Sequence, residues 1–364
     1  MIDLIYKEPP LALDIGELTI KAVQLKRYGQ KAKIVSWGET SLPEGCIQYG
    51  EIKDQDQFKK SLEKLLQNIN GKKIKNKNVI SVLPEQKTFI KSIKIDDNGE
   101  ELRQKRYQDG ELIIPEMIIR ETEEHIPLPI KEIYLDWQIV NSKGSTEILI
   151  GAAPKSVVNN YIGVLKFCGL QPIALEIESM AITRSLFALN KMQSGAKMII
   201  DLGLVRTSLI IYDNNNIKFT VSLPISGKNL TQNIAQKLKI SFDKAEKAKY
   251  ICGLNSNLCQ GIIKNILDEN IRQLCQKIKE AINFYHDHFV DVSDINEIII
   301  CGGGANLIGL EETLAQNFAK IVRKTDSLVN IGKFPKTFNP ADSIHFTTAI
   351  GLALRAAYDK DLIY

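Results

Sequence analysis

The sequence predicts an α/β protein of two related halves, each a mixed sheet flanked by helices, with a small α/β insert in the first half. Three observations predict it. An apolar run ending in Asp-x-Gly occurs twice, as Leu11-Ala-Leu-Asp14-Ile-Gly16 and Met198-Ile-Ile-Asp201-Leu-Gly203. Each copy leads at once into a second apolar run, Ile20 to Leu25 and Ser208 to Tyr212. Each half then continues through a third strand pattern, a helix pattern and a later strand. Apolar runs of this length read as strands, and a glycine just after one marks a tight turn.

In the first half, Ile20–Lys26 and Lys33–Trp37 follow the first turn as strands. A helix then starts near Asp54 or Asp56, since either side chain can accept from the free N–H groups of a first turn. Its Phe58, Leu62, Leu65, Leu66 and Ile69 fall on one face, and the strand Asn78–Leu83 follows. In the second half the order is Ser208–Tyr212, Ile217–Val221, a helix with Leu230, Ile234 and Leu238 spaced by four, and later the strand Glu297–Cys301. Short ββ connections make antiparallel hairpins, and β-α-β passages make parallel neighbours.

Two insertions break the symmetry. The first, Ile90 to about Tyr161, holds the charged run Asp96-Asp-Asn-Gly-Glu-Glu and a helix around Pro115–His125. Ile126-Pro-Leu-Pro-Ile130 cannot continue that helix. Strands Tyr134–Val140 and Glu147–Ala152 follow, joined by a turn at Asn141-Ser-Lys-Gly-Ser145. The second, Phe242 to about Phe289, keeps a helical stripe through Ile262, Ile263, Ile266, Leu267, Ile271, Leu274, Ile278, Ile282 and Tyr285. The expected division is 1–90 with 160–197 and 340–364, an insert at 91–159, 198–228 with 290–339, and a mainly helical part at 229–289.

At 364 residues the chain exceeds one ordinary core. Its 44% hydrophobic and 25% charged residues are those of a globular protein. Lys+Arg of 47 against Asp+Glu of 43, with no dense basic block, gives no reason to invoke nucleic acid or an anionic membrane. The cysteines at 46, 168, 252, 259, 275 and 301 form no C-x-x-C pair, and no histidine sits at finger spacing, which argues against zinc. Scattered thiols fit a reducing compartment. The first residues lack a basic n-region and a long apolar core, and no stretch approaches the roughly 18 to 20 apolar residues of a spanning helix. The expectation is a cytoplasmic protein whose membrane contact is borrowed from a partner.

The chemistry concentrates at the repeated turns. A carboxylate at the end of a buried strand is costly unless it has partners. Asp14 and Asp201 facing each other across a cleft would supply the sparse carboxylate shell that Mg²⁺ completes with water and phosphate oxygens. Gly16 and Gly203 let backbone approach phosphates closely. Thr19 and Thr207 add hydroxyl donors, and Lys21 adds a charge. One Asp-x-Gly is an ordinary hairpin turn; two in matched frameworks make a candidate nucleotide site. In Ile298-Ile-Ile-Cys301-Gly302-Gly303-Gly304 the glycines leave room for a flat base and ribose, although the same run serves equally as a tight strand-to-helix connection. No Gly-x-Gly-x-x-Gly or Walker motif occurs. Thr347-Thr-Ala-Ile-Gly351-Leu-Ala-Leu-Arg355 and Glu178-Ser-Met-Ala181 put small residues on helices where two halves must hinge. His286 and His288 do not share a helix face, and Lys72-Lys-Ile-Lys-Asn-Lys77 reads as a solvated turn.

Taken in order, Asp14-Ile-Gly16, Glu178-Ser-Met-Ala181, Asp201-Leu-Gly203, Gly302-Gly-Gly304 and Ala349-Ile-Gly351 resemble the phosphate-1, connect-1, phosphate-2, adenosine and connect-2 motifs of the actin/sugar-kinase superfamily. The insert carries a closer likeness. Glu121-Thr-Glu-Glu-His125-Ile-Pro-Leu-Pro-Ile130 and the run on to Asp136-Trp-Gln are similar to the PilM family, cytoplasmic actin-like proteins of type IV pilus assembly related to the division protein FtsA. Ile148-Leu-Ile-Gly-Ala-Ala-Pro154, Tyr161, Cys168-Gly-Leu-Gln-Pro172, Ser226-Gly-Lys-Asn-Leu-Thr231 and Ala245-Glu246 with Lys249 continue the match.

The resemblance implies an actin-like, ribonuclease H-like duplicated fold with ATP and Mg²⁺ between the halves. Asp14, Gly16, Thr19 and Lys21 would lie on one side of the phosphates, and Asp201, Gly203 and Thr207 on the other. Glu246 and Lys249 would meet ribose and base beside Gly302, Gly303 and Gly304. Asp14 and Asp201 would hold the metal largely through water, and Glu178 would orient the attacking water of what is at most a slow ATPase. The implied partner is the cytoplasmic N-terminal tail of a PilN-like single-pass membrane protein, received beside the insert at the inner face of the cytoplasmic membrane. Contact with other pilus platform proteins and room for self-association are implied too. Two positions depart from the family pattern, and the stretch Asp96–Gly110 is longer and more charged than that pattern. Glu17 replaces the first serine of Asp-Ile-Gly-Ser-Ser-Ser-Val-Lys, which brings an anion near the γ-phosphate unless it points outward, and Ser226-Gly227 stands for Gly-Gly. Three alternatives compete. An FtsA-like division tether ends in an amphipathic membrane helix, whereas this sequence stops at Asp359-Lys-Asp-Leu-Ile-Tyr364. A sugar or carboxylate kinase needs a general-base aspartate without a clear candidate here. A nucleotide-independent scaffold with a degenerate site is the reading that Glu17 keeps open.

Overall fold

Alternation of apolar side chains builds each half around one sheet. The computed structural model describes residues 8–95, 107–108, 111–112, 114–126, 128–141, 146–290 and 292–358. The charged run at 96–101, the turn at 142–145, Pro127 and both chain ends fall outside the described residues.

The first half contributes β1 (Leu11–Ile15), β2 (Thr19–Tyr28), β3 (Lys31–Ser41), helix α1 (Gln55–Gln67) and β4 (Asn78–Leu83). The insert adds β5 (Phe89–Ile95), α2 (Glu116–His125), β6 (Ile133–Asn141) and β7 (Thr146–Pro154). Helix α3 (Lys155–Phe167), β8 (Gln171–Ile177) and α4 (Glu178–Leu186) lead to the second half. There β9 (Ala196–Leu202), β10 (Thr207–Asp213), β11 (Asn216–Leu223), α5 (Gly227–Leu238), α6 (Phe242–Cys252), α7 (Ile262–His288), β12 (Ile295–Cys301), α8 (Leu310–Phe318) and β13 (Ile321–Lys324) follow. The chain returns to the first half through β14 (Ile331–Lys333) and α9 (Thr347–Tyr358). Asp54 caps α1, its carboxylate accepting from Gln57 N–H at 2.9 Å. The helix ends at Asn68, just before Ile69, which still packs on the same core.

One sheet runs β8-β4-β1-β2-β3-β14, and the other runs β6-β7-β5-β11-β10-β9-β12-β13. The duplication is plain in the ladders. β1 pairs antiparallel with β2 and parallel with β4, and β9 pairs antiparallel with β10 and parallel with β12. The insert, contiguous with the first half in sequence, extends the second half's sheet in space through β5 against β11, with Phe219 opposite Lys91. A polar seam of Asn216, Ser92, Glu147 and Lys218 reinforces that junction. An uncovered strand edge is a liability, and the insert covers it.

Strand periodicity decides where the two aspartates go. Leu11, Leu13 and Ile15 enter the core layer under α1 and α3, while Ala12 enters the layer under α9. Met198, Ile200 and Leu202 face α5, α7 and α8, while Ile199 faces α4. Side chains two apart share a face, so Asp14 lies on the α9 side and Asp201 on the α4 side. These two helices meet between the halves. A Cβ on Gly351 of α9 would lie 1.8 Å from the Ala181 carbonyl oxygen of α4. Arg184 of α4 donates to Glu176 at 2.8 Å and to the Gly351 carbonyl at 3.2 Å, pinning the crossing.

One expectation is corrected. Not all thiols are isolated, because Cys252 and Cys259 form a disulfide with Cα atoms 5.8 Å apart. Left-handed backbone at Cys259, Gln260 and Gly261 folds the loop back on the end of α6. Spacing rules for metal and redox motifs give no warning of such a loop.

Candidate functional site

The two bends are built alike. Gly16 N–H donates to the Thr19 carbonyl, and Gly203 N–H donates to the Arg206 carbonyl, both at 2.9 Å. A Cβ on Gly203 would lie 2.8 Å from that acceptor oxygen, so this bend tolerates no side chain without shifting. The N-terminus of α5 docks on the second bend, with Gly227 N–H on the Gly203 carbonyl at 3.0 Å and Lys228 N–H on the Leu204 carbonyl at 2.9 Å.

Both bends open on one cleft of about 340 Å³ between the halves. Asp14, Gly16, Thr19, Lys21, Glu178, Asp201, Gly203, Glu246, Lys249, Gly302, Gly303 and Gly304 all line it. Thr207 does not. It is fully buried, and its hydroxyl donates to the Ile225 carbonyl at 2.7 Å. Its neighbours Arg206 and Ser208 reach the cleft instead. The glycine run serves packing more than open space. A Cβ on Gly302, where φ is +76°, would lie 2.3 Å from Asp201 Oδ1, and one on Gly304 would lie 1.7 Å from Leu202 Cδ2. These glycines let β12 end directly beside the second bend.

Glu17 lines the cleft beside the first bend, and neighbours hold its carboxylate there. Its Oε1 accepts from Gly50 N–H at 3.1 Å and from Gln86 Nε2 at 2.8 Å. At the other wall, Lys249 donates to the Gly227 carbonyl at 3.0 Å, to Thr231 Oγ1 at 2.8 Å and to Glu246 at 2.8 Å. Glu246 also accepts from Thr231. These two side chains are therefore fixed before any ligand arrives.

The cleft is strongly acidic. Lys21 Nζ lies 3.6 Å from Asp14 Oδ2. Burial pushes the Asp14 carboxyl up against the pull of Lys21. Burial lifts Asp201 to about 6, with Lys21 opposing and Asp14 adding to the rise. Burial, then the charges of Asp201, Asp14 and Glu85, hold Glu178 well above the usual carboxylate range. Burial opposes the Lys21 charge, but Asp14, Glu39, Asp201 and Glu178 outweigh it and raise its pKa. Such a cluster favours protons, or a hard cation, over bare carboxylates.

This fixes a pH dependence. A carboxyl whose pKa is raised by folding stabilises the fold below its unfolded value, and the contribution is lost as pH rises through its folded value. For Asp201 that window runs from 3.8 to about 6. Without nucleotide or metal, thermal stability is expected to fall across this window, and less steeply in Asp201→Asn. Melting curves at several pH values would check it; parallel profiles for the two proteins would contradict the assignment.

Glu85, Asn306, His345 and Tyr161 also line the cleft, though no motif reading singled them out for it. Glu85 is buried and accepts from Ser179 N–H at 3.1 Å, capping α4 from outside the helix. Asn306 Nδ2 lies 3.2 Å from His345 Nε2. The lone histidine before α9 and the Leu-Pro-Glu after β4 carry no spacing signal, because their neighbours here come from distant parts of the chain.

A family model described as "Type IV pilus assembly protein PilM" matches residues 12–357. The chain is similar to a solved PilM-PilN type IV pilus biogenesis complex, with TM-score 0.78 and 21% identity over 96% of this chain and 98% of that one. It is similar to MreB 5 of Spiroplasma citri bound to AMPPNP, with TM-score 0.52 and 14% identity over 96% of each chain. Among curated sequences, the cell division protein FtsA of Staphylococcus epidermidis is 23% identical over 365 aligned positions, covering 89% of this chain and 75% of the relative.

Proposed function

The chain belongs to the PilM family of type IV pilus assembly proteins and has the actin-like fold, and on that premise we propose that it is a nucleotide-controlled docking protein. It binds ATP with Mg²⁺ in the cleft and receives the cytoplasmic N-terminal tail of a PilN-like membrane protein beside the insert. The observation that carries this reading is the shared cleft: both Asp-x-Gly bends, with the same internal hydrogen bond, open on it around Lys21. The solved MreB 5 relative binds a triphosphate analogue, which supports the same use of the fold. Among the described residues no helix is long and apolar enough to cross a membrane, so recruitment through a membrane-anchored tail suits the chain.

The donor set fits Mg²⁺: hard carboxylate oxygens at the ends of two strands, both with pKa values raised by burial and Asp201 further by the charge of Asp14. Asp14 and Asp201 would hold the ion, which when bound supplies charge neutralisation to the phosphate oxygens. Lys21 neutralises from the first bend, Gly16 and Gly203 keep side chains off the phosphate path, and Glu246 and Lys249 orient the nucleoside. Glu178 positions the attacking water for in-line displacement. Burial and the charges of Asp201, Asp14 and Glu85 raise its pKa, and Lys21 opposes the rise, so a cation entering the cleft would lower it.

The tail's proposed seat is a second cavity of about 330 Å³, lined by Tyr134, Gln138, Leu149, Val158, Ile177 and Met180, with Glu176 and Arg184 at one side. The sheet ends on β6 there, and an extended peptide adding to a terminal strand is a common mode of recognition. β8 and α4 separate the two cavities: Glu178 faces the cleft, while Glu176, Ile177 and Met180 face the groove. Nucleotide binding thus acts on a wall that the peptide also touches.

Calorimetry of ATP with and without Mg²⁺, and of a PilN-like N-terminal peptide with and without ATP, tests the reading. Mg²⁺-dependent ATP binding and an altered peptide affinity are expected. Peptide binding with no detectable ATP binding would leave a nucleotide-independent scaffold, and a phosphorylated small-molecule product would identify a kinase.

A further inference from the structure

Tyr161 lies at the middle of α3, behind the first bend. Its ring is fully buried with Leu13, Ile15, Phe58 and Leu62. Its hydroxyl has no hydrogen-bond partner among the described residues, yet the residue forms part of the cleft wall beside Gly16, Glu17 and Glu178. A buried phenol normally finds a partner, and leaving one unsatisfied costs about 1–3 kcal/mol. Phenylalanine would fill the same space without that penalty. The hydroxyl is shielded in the ligand-free chain, but its residue forms part of the cleft wall, so an acceptor entering the cleft is the partner within reach of a small adjustment of that wall.

The surrounding groups narrow what that acceptor is. Glu178, Glu17 and Asp14 are the charged groups that act on the phenol. Glu17 Oε1 is taken by Gly50 and Gln86, and Asp14 is paired with Lys21. Burial and these carboxylates push the phenol far above its ordinary value, so it remains a proton donor at any working pH. The phenol lines the cleft together with the first bend and Glu178, the groups that on the proposed reading flank the terminal phosphate.

We propose that the Tyr161 hydroxyl donates a hydrogen bond to an oxygen of the terminal phosphate and thereby distinguishes nucleoside triphosphate from diphosphate. The proposal rests on reading the cleft as a nucleotide site. It assigns Tyr161 a ligand contact that the diphosphate cannot make, because the diphosphate lacks the accepting group.

The test compares the full chain with Tyr161→Phe, both in Mg²⁺, titrated with a non-hydrolysable ATP analogue and with ADP. A neutral hydrogen bond of ordinary net strength predicts that the variant loses about 3- to 10-fold in triphosphate affinity. ADP affinity should stay within about twofold, and the melting temperature of the ligand-free variant should be unchanged or higher. Unchanged affinities for both nucleotides, or equal losses for both, would overturn the proposal. A lower melting temperature with parallel affinity losses would also overturn it, by assigning the hydroxyl a structural role through a buried water. Wild-type protein that binds neither nucleotide would refute the cleft reading itself; wild-type protein that binds both while the variant behaves identically refutes the Tyr161 contact alone.

Discussion

Asp201→Asn is expected to lower Mg²⁺-dependent ATP affinity by roughly 10- to 100-fold, the loss typical when a carboxylate that orients a metal's water shell is removed, while making the ligand-free chain more stable. Both effects have one origin. Asp201 ends β9 on the face that meets α4, beside Asp14 and Glu178. Its charge is disfavoured by burial and by Asp14, and only Lys21 and a long Cys301 Sγ contact of 3.6 Å oppose that. Asparagine keeps the shape, removes one repelling charge and gives up the anionic oxygen. Opposite changes in stability and binding are the mark of a functional group kept at a cost to the fold. Calorimetry and melting curves on the same protein read both quantities. An Asp201→Asn variant that binds Mg²⁺·ATP like wild type would remove the second aspartate from the site.

Gly351→Ala is expected to be among the most damaging single-methyl changes in the chain. The added Cβ would lie 1.8 Å from the Ala181 carbonyl oxygen and 2.5 Å from its carbon. Those are backbone atoms of α4 and cannot rotate away. The two helices must separate, and the Arg184 contact to the Gly351 carbonyl stretches with them. Overpacking of this kind typically costs about 1–3 kcal/mol, and more when backbone has to move. Gly163→Ala is the control. Gly163 lies in α3, where an added Cβ would meet nothing within 4 Å, so alanine there should stabilise by up to about 1 kcal/mol through helix propensity. Urea unfolding of both variants gives the comparison. If Gly351→Ala proved as stable as wild type, the close crossing of the two helices would be wrong.

Much of the fold is legible from local pattern. The β1 and β9 phrases, the Phe58-Leu62-Leu65 face of α1 and the Ile263-to-Tyr285 stripe of α7 each write their burial directly into residue spacing. α3 and β8 are harder to read. α3 lacks a side-chain cap at its N-terminus, and Pro172 with the half-buried residues around it blurs the alternation of β8. The site is legible in part. Asp14 and Asp201 stand out because duplication repeats them, while Glu85, His345 and Tyr161 occur once and take their meaning from neighbours far away in sequence. Thr207 shows the limit from the other side: symmetry with Thr19 suggests a cleft-facing hydroxyl, but the Ile225 carbonyl claims it.

By itself the sequence determined that two related sheets would each end in an Asp-x-Gly bend, because strand period, turn glycine and repetition are local properties of the chain. Tertiary structure alone decided that the insert would join the second half's sheet, that Cys252 would meet Cys259, that Gly50 and Gln86 would hold the Glu17 carboxylate, and that Tyr161 would wall the cleft. Those outcomes depend on which distant backbone groups arrive within hydrogen-bonding or packing distance, and residue spacing along one chain does not encode that.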